Sequence, residues 1–103
     1  MIRAEFLESN GLKIGFKLSG HAGYADSGSD IVCAAVSSAV QLTANTLDLL
    51  GHSPDVKVRD NVIECTIASK EALGAALIES LRLHLQAISE DYPKTIKITI
   101  SEV

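Results

Sequence analysis

Residues 2–18 read IRAEFLESNGLKIGFKL, and this stretch decides what kind of fold the chain can adopt. From Ile2 to Glu8 apolar and polar residues alternate, with Ile2, Ala4 and Phe6 on one side and Arg3, Glu5 and Leu7 on the other. A period of two is the mark of a half-buried strand. Ser9, Asn10 and Gly11 follow, and Asn-Gly is a strong signal for a tight hairpin turn. The pattern then resumes from Leu12 to Leu18, with Leu12, Ile14, Phe16 and Leu18 facing one way and Lys13 and Lys17 the other. The chain therefore opens with an antiparallel hairpin, one face of which must be covered by something else.

Downstream, the period changes. After a segment of small and polar residues from Ser19 to Ser29, residues 30–50 form a long helix. Val32, Val36, Ala39, Val40, Thr43, Leu47 and Leu50 recur at helical spacing. A second apolar set, Ile31, Ala35, Leu42 and Leu49, widens the stripe and suggests burial on more than one side. Ser29 or Asp30 can cap the start and Gly51 stops the end. His52 to Pro54 connect to a second hairpin, Asp55 to Arg59 and Val62 to Ser69, turning at Asp60-Asn61. Residues 71–90 form a second amphipathic helix with Leu73, Leu77, Leu81, Leu85 and Ile88 as its stripe, ended by Pro93. Thr95 to Ser101 alternates three isoleucines with polar residues as a last strand. The order β-β-α-β-β-α-β predicts an α+β two-layer sandwich, a mixed β-sheet with two long helices. At 103 residues the chain is expected to be a single domain, 1–103.

Composition narrows the function classes. The net charge of -4 argues against a module that works directly on nucleic acid by neutralising phosphates, while leaving a basic partner open. Two cysteines are too few for a disulfide scaffold. MIRAEFLESN carries charges where a secretory leader would be apolar, and no run is long enough to span a membrane. These features point to a cytoplasmic protein with reduced thiols and no membrane partner.

The chemistry is concentrated in residues 20–33, GHAGYADSGSDIVC. With the helix starting at Asp30, Cys33 lies in its first turn, where free amides and the positive end of the helix dipole favour an anion such as a thiolate. His21 can fold back from a glycine-bearing loop to take the thiol proton. Asp30 can orient that histidine or cap the helix, and Ser37 shares Cys33's helical face. Against this stands packing: a cysteine among alanines and valines is usually a small core residue. Local spacing leaves both readings open. Cys65, flanked by Ile63 and Ile67, reads as core; His52 reads as surface and His84 as a boundary residue. Nothing in the spacing of histidines and cysteines suggests a metal, and no cofactor is implied.

The run GHAGYADSGSDIVCAAVS (residues 20–37) resembles the signature of the ribosomal-processing cysteine proteases, the Prp family, and the resemblance extends over the chain's length and element order. It implies a cysteine endopeptidase that removes the N-terminal extension of large-subunit ribosomal protein number twenty-seven. The nucleophile and base would fall on Cys33 and His21. Gly20, Asp30 and Ser37 would support them, and Gly23, Tyr24 and Gly28 would belong to a substrate loop. It also implies a homodimer, which would use the wide apolar surface of the first helix. The competing class is a noncatalytic ribosome-associated module that grips a peptide or an anion with the same loop. A redox thiol protein would need Cys33 and Cys65 to meet, and nothing in the sequence brings them together.

Overall fold

The computed structural model describes residues 1–20, 26–68 and 70–103, with residues 26–30 described by their backbone. The elements are β1 (Ile2–Ser9), β2 (Leu12–Gly20), α1 (Asp26–Leu49), β3 (Asp55–Arg59), β4 (Val62–Thr66), α2 (Ala72–Asp91) and β5 (Ile96–Glu102). The expected order is found. The five strands form one sheet in the order β3-β4-β2-β1-β5. All neighbours are antiparallel except β1 and β5, which run parallel, so the sheet is mixed.

The first hairpin turns as its sequence demands. Asn10 and Gly11 both take positive φ, 52° and 80°. That combination matches the right-handed twist of the flanking strands. Register then puts the apolar residues on one side. Phe6 lies opposite Phe16 and Ala4 opposite Leu18, while Phe16 and Leu18 face Cys65 and Ile63 on their other flank. Both helices cover this face. Val32, Val36, Val40 and Leu47 of α1 and Ile78, Leu81 and Leu85 of α2 join the strand residues in one buried cluster. The opposite face carries Arg3, Glu5, Lys17, Lys97 and Thr99 and has no second layer among the described residues.

Five details of the packing depart from the sequence reading. First, β1 and β2 slip register between Leu7 and Glu8, so that Glu8 pairs with Lys13 and Ile14 is the extra residue. A bulge sends successive side chains to the same side. Lys13 therefore leaves the polar face and meets α2, with its Nζ 2.6 Å from Glu8 Oε1 and 3.3 Å from Glu79 Oε1. Arg82 donates Nε and Nη2 to the same Glu79 carboxylate at 2.9 and 2.6 Å. Second, the buried stripe of α2 runs through Gly74, Ala75, Ile78, Leu81 and Leu85, leaving Leu73 exposed. Third, Ile31, Leu42, Leu49 and Leu50 of the wide α1 stripe are exposed. Fourth, His52 is buried. Its amide donates to the Leu47 carbonyl and that of Gly51 to Asp48, a Schellman-type close to α1, and its ring packs against Gly74 of α2. There its Nδ1 lies 3.9 Å from Glu71 Oε2. Fifth, His84 is exposed rather than at the boundary.

Candidate active site

At one end of the sheet, α1 stands away from the strands and leaves a cleft of about 310 Å³. Three of the residues singled out from the sequence line it together: Cys33, Ser37 and Gly20. Cys33 and Ser37 are brought there by the helix, since residues four apart stack on one face. Gly20 arrives from the end of β2. Its φ is +87°, and a Cβ there would sit 2.5 Å from the Met1 carbonyl oxygen. Any side chain would be strained twice over, by the left-handed backbone and by the collision. Gly20 thus fixes the point from which the chain leaves the sheet toward His21.

The two thiols occupy opposite environments. Both are free, Cys33 half-buried and Cys65 buried. Burial, aided by the negative charge of Asp55, pushes the Cys65 thiol up to about 11. A buried, protonated thiol is an inert packing group, as its place between Ile63 and Ile67 suggested. Cys33 instead opens onto the cleft.

The start of α1 requires a correction. The helix begins at Asp26, not at Asp30. Gly28 is therefore helical rather than part of a loop, and Asp30 lies inside the helix and does not cap it. Cys33 sits about two turns in, where amides already donate to the preceding turn and the dipole of the first turn has faded. The helix start accordingly supplies neither free amides nor a strong dipole to this thiol, and its accessibility comes from the cleft. His21, Gly23 and Tyr24 lie outside the described residues.

The other wall of the cleft was not anticipated. Val58, Asp60, Asn61, Val62 and Ile63 bring the second hairpin opposite Cys33. Asp60 takes a left-handed φ of 46° at the turn. Val56 and Val58 alternate with polar residues as in any strand, and no local signal ties this hairpin to a cysteine more than twenty residues earlier. Only the β2–β4 pairing, Ser19 with Val62 and Leu18 with Ile63, places it beside Gly20.

Comparison with known proteins follows the same lines. The family model of the cysteine protease Prp matches residues 1–97. The chain is 29% identical over 108 residues to the ribosomal processing cysteine protease Prp of Bacillus subtilis (strain 168), with 96% of each chain covered. Its fold superposes with a TM-score of 0.88 on an essential ribosomal processing protease Prp from Staphylococcus aureus, solved with a covalently linked product peptide. Identity there is 23%, over 98% of this chain and all of that one. The protein SMU.848 from Streptococcus mutans aligns with a TM-score of 0.80 at 28% identity, covering 100% of this chain and 96% of its own. With a family match over nearly its whole length, a fold shared with these proteins and a thiol open to a cleft, this chain belongs to the cysteine protease Prp family and is a cysteine protease.

Proposed function

We propose that this protease removes the N-terminal extension of large-subunit ribosomal protein twenty-seven during ribosome maturation. The relative from Bacillus subtilis is named for ribosomal processing, and the signature in residues 20–37 supports carrying that role to this chain. The observation that carries the mechanism is the cleft in which Cys33 is accessible beside Gly20, one residue before His21.

Cys33 is the nucleophile and His21 the general base. The Cys33 thiol gives its proton to the His21 imidazole, and the sulfur attacks the scissile carbonyl carbon. The tetrahedral intermediate collapses, the C–N bond breaks, and His21 returns the proton to the departing amine. Water, deprotonated by the same histidine, then hydrolyses the thioester and releases the acid. Ser37, one turn beyond the thiol, supplies a hydroxyl donor to the substrate or the oxyanion. Gly20 sets the geometry of the loop that carries His21. Asp30 orients the base, while Gly23, Tyr24 and Gly28 contact the substrate. No metal or cofactor takes part. The enzyme works in the cytoplasm as a homodimer; Ile31, Leu42 and Leu49, 57, 68 and 83% exposed on the outer side of α1, support a contact between two copies. Among the described residues no helix is long and apolar enough to cross a membrane.

The test is a peptide spanning the extension and the mature start of the host's ribosomal protein, incubated with the purified protein and read by mass. One cut, lost in both Cys33→Ala and His21→Ala, is the expected result. An intact peptide, or a cut that survives Cys33→Ala, would overturn the proposal.

A further inference from the structure

Strand β3 is at the edge of the sheet and, among the described residues, has a partner on one side only. Which of its backbone groups are free follows from the register. Arg59 pairs with Val62 across the two-residue turn Asp60-Asn61. The pair that closes a two-residue turn exchanges both of its hydrogen bonds, and hydrogen-bonded and non-bonded pairs then alternate along the ladder. Arg59, Lys57 and Asp55 therefore turn their amides and carbonyls toward β4. The Ile67 amide gives an independent check: it donates to Ile14 of β2 at 2.9 Å, so the odd residues of β4 face β2 and the even ones face β3. The donors and acceptors of Val56 and Val58 consequently point away from the sheet.

Their side chains complete the picture. Val56 lies opposite Cys65 and Val58 opposite Ile63, so both valines are on the helix-covered face. Cys65 is buried, yet Val56 is 42% and Val58 68% exposed. The helices stop short of this edge. Val58 also lines the cleft that holds Cys33. Two apolar side chains and two outward sets of backbone groups thus continue the active-site cleft onto the sheet edge.

We propose that the peptide substrate docks here as a sixth strand, hydrogen-bonding through its own backbone to Val56 and Val58. Edge strands are templates for an extended chain, and strand addition divides the work between backbone and side chains. Backbone bonds hold the peptide, while alternate side chains are read by pockets. In this register the substrate residues opposite Val56 and Val58 turn their side chains toward the helix face and the cleft. Their neighbours turn theirs to the open polar face. The enzyme would then read every second residue of its substrate on the cleft side, and an apolar residue there would cover the exposed valines. The inference rests on the protease reading above, and commits the occupant of the edge to the substrate rather than to a second copy of the chain.

Substrate peptides carrying a single backbone N-methyl group, moved one residue at a time, test it without altering the protein. Binding is measured to Cys33→Ala, and cleavage of the unmethylated peptide by the unaltered enzyme. Methylation should weaken binding about three- to tenfold at alternate residues and leave those between them nearly unchanged, the scale of losing one hydrogen bond. Val58→Pro removes an outward amide that an edge strand can spare, and should weaken binding of the unmethylated peptide while Val58→Ala, which keeps the amide, weakens it less. Flat or irregular sensitivity to methylation overturns the proposal, as does the absence of any binding. A shift of Val58→Pro from dimer to monomer without a methylation pattern would assign the edge to a second copy. If the unmethylated peptide is not cleaved, the proposed function fails by itself, and the binding series still decides whether the edge receives a strand.

Discussion

The two ends of the sheet differ sharply. At the hairpin end, Glu8, Lys13, Glu79 and Arg82 bind β1, β2 and α2 together through contacts of 2.6 to 3.3 Å. At the other end, Ile2, Gly20 and Val62 border an open cleft, and α1 supplies a thiol instead of a seal. One helix closes its half of the sheet, while the other leaves room for a substrate. A small domain cannot spend much core on function. Here the loss of packing is confined to one end, and the opposite end is sewn shut.

Substitutions can break that contrast. The largest effect should come from Cys33→Ala at the open end: cleavage falls on the order of 1,000-fold or more, with the thermal midpoint little changed. Comparable loss of folding would mean the thiol is packing after all. Gly20→Ala should damage both properties, because the Met1 carbonyl and the left-handed backbone resist a Cβ. A destabilisation of about 1–3 kcal/mol by urea unfolding is expected. The third contrast is chemical. In the folded protein, iodoacetamide should label Cys33 faster than Cys65 by on the order of 100-fold, since Cys65 is buried and held protonated. Equal rates, read by peptide mass, would erase the distinction between the two thiols.

The smallest effect belongs to the closed end. The Arg82 hydrogen bonds, with help from Lys13, hold the Glu79 carboxyl down at about 2 against an ordinary 4.5. A carboxyl lowered in the folded state adds stability that is complete above its unfolded value and disappears as pH falls through the folded one. Between about pH 4.5 and 2 the protein should lose this contribution, and Glu79→Gln should flatten that part of the acid limb. Urea midpoints measured across the window check it. Because Glu79 is partly exposed, the change should be modest and should shrink with added salt.

Most of the fold was legible because its signals are periodic. Alternation in Ile2–Phe6 and Ile96–Ile100, helical spacing through Val32, Val36 and Val40, and the Asn10-Gly11 turn each act locally and agree with one another. What escaped depends on single residues or on distant ones. The bulge at Ile14 moves Lys13 across the sheet without disturbing the pattern around it. The helix start expected at Asp30 lies four residues late because Asp26, Ser27, Ser29 and Asp30 are all residues that cap helices, and Gly28 among them reads as a loop. His52 looks like a surface residue until the close of α1 turns it against Gly74 of α2. Of the residues that line the cleft, Gly20, Cys33 and Ser37 come from one short stretch. The opposite wall, Val58 to Ile63, belongs to a strand pairing that no local window contains.

The closeness of Gly20 to Met1 also bears on how the protein should be handled. The Met1 carbonyl oxygen lies over Gly20, and Ile2 lines the cleft. An affinity tag or fluorophore joined ahead of Met1 would emerge beside the cleft that Cys33 opens onto. Val103 donates its amide to the Glu8 carbonyl, at the far end beside the ion pairs. Attached there, the same label would leave the cleft clear, and an assay comparing the two attachments would report the tag rather than the enzyme.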